Sequence, residues 1–227
     1  MMAPRNSGAV RVVGIGGGGH ARVVIDILRV MGGFDIVGLL DSNVELHGRE
    51  ILGVPVLGGE RLLPELRAQG VTHAFIGVGT VGTPEGRIRI WSAMQDLGFE
   101  PVQAIHPTAV IAASAKIRRG VTVMPGAIIG AAATLGDNSI INTGVIVEHD
   151  CVVAPHAHVA TAASLAGGVQ VGEGAHVGIG ASVVQYIKIG AYALVGAGAV
   201  VTRDVAARTT VVGVPAKPIT SGPHSER

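Results

Sequence analysis

The sequence places one histidine directly between two carboxylates, in the run Glu148-His149-Asp150. A carboxylate beside an imidazole fixes the tautomer and raises the basicity of the ring, so this arrangement suits a general base. An ordinary solvated turn would use the same residue types, and the run by itself does not decide between these interpretations. Either neighbouring carboxylate could orient the imidazole.

A second group of candidate residues lies near the N-terminus. The pattern predicts a strand over 10–15, a glycine-rich turn, a helix over 21–31 and a second strand that ends at Asp41, which together form a mononucleotide-binding βαβ unit. Backbone amides at the start of such a helix can bind a phosphate, and Asp41 could accept hydrogen bonds from a ribose or a base. The turn consists of Gly16, Gly17, Gly18 and Gly19 and is followed by His20.

Gly14, Gly16 and Gly19 also have the spacing of a dinucleotide-binding fingerprint, so a nicotinamide cofactor is an alternative ligand. The segment that precedes the repeats described next is too short for a complete dinucleotide-binding fold. Half of that fold, of a size that suits a nucleotide or a nucleotide sugar, is the better prediction. A further strand over 74–78 leads into Gly79, in a second loop at a strand end, and helices are predicted over 60–69 and 84–97.

The strongest pattern in the chain is a repeat of six residues. Every sixth position from Ile111 to Val201 is aliphatic, and the position two residues before each of these is mostly small. Side chains two apart on a strand share a face, so both positions point inward, and the remaining residues form a turn. Three such strands close a triangular coil, and the repeats predict about five stacked coils. His149 falls on a turn, outside the coil interior.

Composition excludes several classes of function. The formal net charge of +1 gives no indication of nucleic acid or an anionic membrane as a partner. No uninterrupted apolar run of about 18 residues predicts a membrane span, and the N-terminal residues lack the apolar region of a secretion signal. The single cysteine, Cys151, is expected in the coil interior, and a cytoplasmic protein is predicted. The histidines show no pattern of a closed metal site, so no metal is expected.

The hexad pattern resembles that of the hexapeptide-repeat acyltransferases over about residues 105–217. The resemblance implies a left-handed parallel β-helix, a homotrimer and an acetyl-CoA groove between subunits. With the glycine turn, His20 and the closing Gly213-Val214-Pro215-Ala216-Lys217, nearly the whole chain resembles the nucleotide-sugar acetyltransferases. These include the bacillosamine and perosamine N-acetyltransferases and the sialic-acid O-acetyltransferase-like proteins. The expected organisation is an α/β Rossmann-like half-domain that binds a nucleotide sugar over 1–104, a β-helix over 105–217 and a disordered tail over 218–227.

The same resemblance implies roles for individual residues. His149 matches the family's general base, and Asp150 is preferred to Glu148 as the residue that orients it. Asn142 matches a polar residue near the substrate, and His158 matches a second histidine near the thioester of acetyl-CoA. Backbone contacts to the coenzyme are expected from four glycines, namely Gly167, Gly168, Gly178 and Gly180.

The sequence thus favours acetyl transfer from acetyl-CoA to the amino group of a nucleotide-linked sugar, of the 4-amino-4,6-dideoxyhexose type. The nucleotide would bind the first domain, and the sugar would reach His149. Sugar O-acetylation with the same base is an alternative. A non-catalytic β-helix scaffold and an NAD-dependent oxidoreductase are alternatives from other classes, and the β-helix argues against the last.

Overall fold

The computed structural model describes residues 8–80 and 83–219, which form two compact units. The first comprises the described residues of 1–79 and 86–107, and the second comprises those of 80–85 and 108–227. The boundary expected after residue 104 lies close to this division. The short segment 80–85, which the sequence assigned to the first unit, groups with the second.

The first unit is a parallel α/β sheet with one antiparallel edge strand. Its sheet has the order β3-β4-β2-β1-β5-β6, and only β3 runs antiparallel to its neighbour. The elements are β1 Val10–Ile15, α1 Gly19–Met31, β2 Phe34–Leu40, a 3-10 helix Val44–Leu46, β3 Glu50–Ile51, β4 Val54–Gly58, a 3-10 helix Glu60–Leu62, α2 Leu63–Ala68, β5 His73–Ile76, α3 Glu85–Asp96, β6 Glu100–Pro101 and β7 Ala104–Ile105.

The core of this unit follows from apolar periodicity. In α1, Val24, Ile27 and Leu28 repeat at helical spacing and are buried, while β1 is apolar on both faces because helices cover the parallel sheet. The carboxyl ends of β1, β2 and β5 meet at one edge of the sheet. The glycine turn after β1 therefore lies beside the ends of the other two strands.

The second unit is a parallel β-helix of short strands, most of them two residues long. From β8 to β20 each strand pairs with the strand 18 residues further on, as Ile128 pairs with Ile146, whereas β22 pairs with β24, 16 residues further on. The strands are β8 Val110–Ile111, β9 Lys116–Ile117, β10 Thr122–Val123, β11 Ile128–Ile129, β12 Thr134–Leu135, β13 Ile140–Ile141, β14 Ile146–Val147, β15 Val152–Val153, β16 His158–Val159, β17 Ser164–Leu165, β18 Gln170–Val171, β19 His176–Val177, β20 Ser182–Val183, β21 Lys188–Ile189, β22 Leu194–Val195, β23 Val200–Val201, β24 Thr210–Val212 and β25 Lys217–Pro218.

The interior of the coils matches the predicted register. The aliphatic and small positions of the hexad are buried from Val121 onward, and Cys151 takes its place among them. Burial raises the pKa of the Cys151 thiol, which donates to the carbonyl of Ala166 at 3.2 Å. This thiol is therefore a packing group with little thiolate character.

From Gly120 to Gly198 each turn of the β-helix contains one residue with positive φ, and this residue recurs every six positions. Glycine occupies several of these positions, but Asp150 adopts φ 59° and His156 adopts φ 62°. Asp is among the residues that tolerate the left-handed region best, because its short side chain can bond locally. The turn conformation therefore fixes the direction in which the Asp150 carboxylate leaves the backbone.

The strands form three faces, which meet at three edges. The faces contain β10-β13-β16-β19-β22, β8-β11-β14-β17-β20-β23 and β9-β12-β15-β18-β21. We call the turns 130–133, 148–151 and 166–169 the His149 edge, and the turns 142–145, 160–163 and 178–181 the Asn142 edge. The β14 strand separates these two edges within one coil. At the C-terminus, β25 pairs with β24, so residue 218 of the predicted tail lies in a strand, and 220–227 lie outside the described residues.

Candidate active site

His149 is bonded to the carboxylate of the next residue. Its Nδ1 lies 2.8 Å from Oδ2 of Asp150, and its side chain is 55% exposed on the His149 edge. A carboxylate accepts hydrogen bonds, so Nδ1 carries the proton and donates it to Asp150. The lone pair of Nε2 is then directed away from Asp150, where it can accept a proton from a bound substrate.

The two flanking carboxylates have different roles in this geometry. Oε2 of Glu148 accepts from the backbone N–H of His149 at 3.3 Å, whereas Asp150 contacts the ring. The hydrogen bond to Asp150 raises the pKa of His149, and the negative charges of Asp150 and Glu148 act in the same direction. Asp150 therefore orients the imidazole, and Glu148 contributes charge.

The imidazole rests on a glycine of the next coil. A Cβ placed at Gly167 would lie 2.6 Å from both Cε1 and Nε2 of His149. Backbone bonding joins the same two turns, since the N–H of Gly168 donates to the carbonyl of His149 at 2.9 Å. Gly168 has φ +70°, and a Cβ there would lie 2.6 Å from the ring of Tyr186. The absence of a side chain at Gly167 thus permits the observed position of the His149 ring.

Asn142 and His158 form a second polar group. Nδ2 of Asn142 lies 3.1 Å from Nε2 of His158, and Oδ1 of Asn142 accepts from the backbone N–H of Thr143 at 2.8 Å. Nδ1 of His158 lies 2.8 Å from the backbone carbonyl oxygen of Thr80 and 3.0 Å from Oγ1 of the same residue. His158 points outward from the coil, as its register predicts. Thr80 contacts Nδ1 of the ring, and the residue is 8% exposed.

The four glycines predicted to contact the coenzyme lie on two different edges. Gly167 and Gly168 lie on the His149 edge, whereas Gly178 and Gly180 lie on the Asn142 edge. A Cβ at Gly178 would lie 2.6 Å from the carbonyl oxygen of Val195, so this glycine allows adjacent coils to stack. Gly180 has φ +64° and open space around its Cα. The four predicted glycines are therefore divided between two edges of one subunit.

The glycine turn of the first unit ends at an uncapped helix. Gly18 is the N-cap of α1 and makes no side-chain cap bond, and the first turn of this helix contains no acidic residue. A Cβ at Gly18 or Gly19 would meet nothing within 4 Å, so these two residues border open space. The amides at the start of α1 are arranged to bind an anion. Gly16, with φ +101°, makes the sharp turn itself.

Asp41 supports the glycine turn directly. Its Oδ2 accepts from the N–H of Gly17 at 2.6 Å, and its Oδ1 accepts from the N–H of Asn43 at 2.8 Å. The predicted ribose acceptor thus already holds two backbone amides, although each oxygen retains a further lone pair. His20 is the second residue of α1, and Gly79 packs against it, since a Cβ at Gly79 would lie 3.5 Å from the His20 Cβ.

A cleft opens beside this turn and contains an ion pair that the sequence analysis missed. Two adjoining cavities of about 180 and 440 Å³ share Ser42, Glu60 and Arg89 in their walls, and the smaller also contacts Gly16 and Asp41. Nη1 and Nη2 of Arg89 donate to Oε2 and Oε1 of Glu60, at 2.9 and 3.1 Å respectively. The two residues are 29 positions apart and belong to different helices, so no local pattern reveals the pair.

Arg87 is a second residue that sequence reasoning missed. Its guanidinium is buried and donates to the carbonyls of Ile76 at 3.1 Å and Val78 at 2.7 Å. Burial lowers the pKa of Arg87 to about 9, so the side chain stays protonated at neutral pH. Arg87 therefore holds the backbone at the carboxyl end of β5, next to Gly16.

In the described ranges 8–80 and 83–219, no helix has the length and apolar character needed to cross a bilayer. Within those same ranges, no three His, Cys, Asp or Glu side chains are grouped as metal ligands would be.

Comparison with known proteins agrees with both units. The family model of the PglD N-terminal domain matches residues 11–90. The perosamine N-acetyltransferase PerB from Caulobacter crescentus, in complex with CoA and GDP-perosamine, is 44% identical, with a TM-score of 0.86 over 92% of this chain and 97% of that chain. A variant of the same enzyme with one histidine replaced by Asn is 43% identical, with a TM-score of 0.87 over the same shares of the two chains.

The acetyltransferase domain of PglB from Neisseria gonorrhoeae is more distant. It is 32% identical, with a TM-score of 0.85 over 92% of this chain and 100% of that chain. The same domain is also known in complex with acetyl coenzyme A. Among curated protein sequences, none is a significant match to the chain.

A β-helix with a carboxylate-bound histidine on one edge, preceded by a nucleotide-binding α/β unit, defines an acyltransferase. The chain belongs to the nucleotide-sugar N-acetyltransferase family. The predicted α/β half-domain and left-handed β-helix are thereby confirmed. The oxidoreductase interpretation of the glycine spacing is wrong, because the half-domain is joined to an acyltransferase fold.

Proposed function

We propose that this protein transfers the acetyl group of acetyl-CoA to the amino group of a nucleotide-linked 4-amino-4,6-dideoxyhexose, and that the nucleotide is GDP. The 43–44% identity to an enzyme whose structures contain CoA and GDP-perosamine supports this acceptor. The observation that carries the chemistry is the 2.8 Å hydrogen bond between Asp150 and Nδ1 of His149. In the neutral ring this bond places the proton on Nδ1, so that Nε2 is the nitrogen able to accept a proton on an exposed edge.

The reaction needs a proton acceptor at one atom. The amine nitrogen attacks the thioester carbonyl carbon, a C–N bond forms and the C–S bond breaks. The proton lost by the amine passes to Nε2 of His149, and the imidazolium returns it to the departing thiolate, so that CoA leaves as the free thiol and the base is regenerated. Asp150 stabilises the imidazolium that forms. Glu148 adds to this stabilisation through its charge.

The nucleotide is proposed to bind in the cleft of the first unit. Its pyrophosphate would accept hydrogen bonds from the amides at the start of α1, beside Gly18 and Gly19. Gly16, Gly17 and Asp41 shape the turn, and His20 and Gly79, which pack against each other, would lie beside the bound nucleotide. The Glu60–Arg89 pair borders the part of the cleft that is left for the ribose and base.

A homotrimer is proposed because one chain divides the predicted catalytic residues between two edges. His149, Asp150 and Gly167 lie on the His149 edge. Asn142 and His158, which are hydrogen-bonded to each other, lie at the Asn142 edge. In the proposed trimer, the His149 edge of one subunit would lie against the Asn142 edge of the next. Acetyl-CoA would then bind in the groove between them.

A cytoplasmic location is proposed on the ground of the co-substrate. Acetyl-CoA and nucleotide-activated sugars are both cytoplasmic metabolites. The free thiol of Cys151 is compatible with a reducing compartment.

The experiment measures free thiol release from acetyl-CoA with GDP-, UDP- and dTDP-linked 4-amino sugars, followed by NMR of the product. The proposal predicts turnover with a GDP-linked sugar and an amide at C4. Turnover only with a UDP- or dTDP-linked sugar would overturn the nucleotide assignment, and an ester product would establish O-acetylation. No CoA release with any acceptor would contradict the proposed function.

A further inference from the structure

The hydrogen bonds around His158 form a chain whose two ends are backbone groups of fixed polarity. At one end the N–H of Thr143 donates to Oδ1 of Asn142, at 2.8 Å. At the other end the carbonyl oxygen of Thr80, which only accepts, lies 2.8 Å from Nδ1 of His158. All of these residues belong to the second unit.

These fixed ends determine the state of every group between them. Oδ1 of Asn142 must accept, so the amide nitrogen Nδ2 faces His158 and donates to it at 3.1 Å. Nε2 of His158 must then be the acceptor and carry no proton. Nδ1 carries the proton and donates it to Thr80. The two fixed ends thus assign both the orientation of the Asn142 amide and the tautomer of the His158 imidazole.

The packing around His158 holds the ring in this position. His158 lies between Ile140 and His176 on neighbouring strands of one face, and the His176 ring meets it edge-on with centroids 4.8 Å apart. Burial lowers the pKa of His176, so no positive charge adjoins the ring from that side at neutral pH. Rotation of His158 would break its bonds to Thr80 and Asn142 together.

One polar group of this chain remains directed outward. Nδ2 of Asn142 has two N–H groups, and His158 accepts only one of them. Among the residues that the structure describes, no acceptor is bonded to the second. A partly exposed amide N–H with its direction fixed is suited to donate to a substrate oxygen.

We propose that Asn142 donates its outward N–H to an oxygen of the reacting substrates, and that His158 and Thr80 are positioning residues that fix this amide. This inference rests on the proposed function. In it, His158 does not donate to the thioester of acetyl-CoA, since its Nε2 carries no proton. His158 influences the reaction only through Asn142.

A double-mutant cycle tests this dependence. We expect Asn142→Ala to lower kcat by about 10²-fold, in line with the loss of one donor to developing charge. His158→Leu removes the acceptor that orients the amide and lowers kcat by about tenfold or more. In the double variant the loss should equal that of Asn142→Ala alone. Effects that multiply would show that His158 contacts the substrates itself and would overturn the proposal, as would full activity of Asn142→Ala.

A control separates positioning from general loss of structure. The His156 ring lies 2.9 Å from the amide of Asn138 on the third edge, so His156→Asn perturbs a similar pair outside the site and should leave kcat unchanged.

The tautomer can be measured without any substitution. In ¹⁵N-histidine-labelled wild-type protein with CoA bound, NMR should show His158 protonated at Nδ1 and unprotonated at Nε2. An Nε2–H tautomer, or an imidazolium at neutral pH, would overturn the inference. This readout does not depend on turnover. Failure of the proposed function, seen as absent CoA release by the wild type, is therefore distinguishable from failure of this inference.

Discussion

Substitution of Gly167 by alanine should inactivate the enzyme without unfolding it. A Cβ at this position would lie 2.6 Å from Cε1 and Nε2 of His149, whereas carbon contacts are favourable at about 3.5–4.0 Å. The imidazole must therefore move by about 1 Å. Its side chain is exposed and can rotate, so the coil itself is not strained. Misplacement of a catalytic group by about 1 Å can cost about 10²-fold in rate.

The assay compares kcat, KM for both substrates and the melting temperature. We expect kcat to fall by about 10²-fold, KM values within a few-fold of wild type and an unchanged or slightly raised melting temperature. Gly167 does not adopt a positive φ, so alanine fits the backbone and reduces the entropy of the unfolded chain.

Glu173→Ala is the matched control, because Glu173 occupies the same hexad position on a different edge. The carboxylate of Glu173 accepts from the Tyr192 hydroxyl at 3.4 Å, away from His149, and its replacement should leave kcat unchanged. If Gly167→Ala retained wild-type kcat, the observed position of the His149 ring would not be the reactive one. A fall in melting temperature that paralleled the loss of activity would likewise refute the reasoning.

Three further predictions concern the pH profile and the nucleotide cleft. Asp150→Asn weakens the hydrogen bond that raises the pKa of His149, so this pKa should fall. Because only the neutral imidazole accepts a proton, the acid limb of the pH profile of kcat/KM should move to lower pH, and an unmoved limb would contradict this. Arg87→Leu leaves two carbonyls without their donor, so we expect the free energy of unfolding, measured by urea titration, to fall by about 1–3 kcal/mol and the KM for the nucleotide sugar to rise. Wild-type stability would show that Arg87 does not hold the backbone after β5. Gly16→Ala places a Cβ 2.9 Å from the backbone nitrogen of Val78, in a residue with φ +101°, so we expect the free energy of unfolding to fall by about 1–3 kcal/mol and nucleotide binding, measured by calorimetry, to weaken. The control Gly86→Ala, with open space around its Cα, should retain the fold.

The fold was predictable from the sequence because the hexad repeat is a local signal. Alternation of Ala127 and Ile129 places both side chains in the interior, and every later coil repeats that pattern. Helix ends were less well defined. The predicted helix over 60–69 is a 3-10 turn followed by α2, since Pro64 at the start of α2 supplies no backbone N–H and favours a helix start there.

The candidate site was predictable only where neighbours in sequence are neighbours in space. His149 and Asp150 are adjacent in the chain, so their interaction could be expected. Thr80 bonds to a histidine 78 positions away, and Arg89 bonds to a glutamate 29 positions away. Contacts of this kind depend on the arrangement of elements, and neither composition nor periodicity reveals them. The steric role of Gly167 was missed for the same reason, because it appears only when coils stack.

The central claim is that His149 takes the proton from the attacking amine. The most direct measurement is thiol release from acetyl-CoA by His149→Ala beside wild type, with the binding of CoA and of the GDP-linked 4-amino sugar measured by calorimetry. The account predicts a loss of kcat of about 10²-fold or more, with both dissociation constants within a few-fold of wild type. A variant that binds both substrates and turns over at the wild-type rate would contradict it.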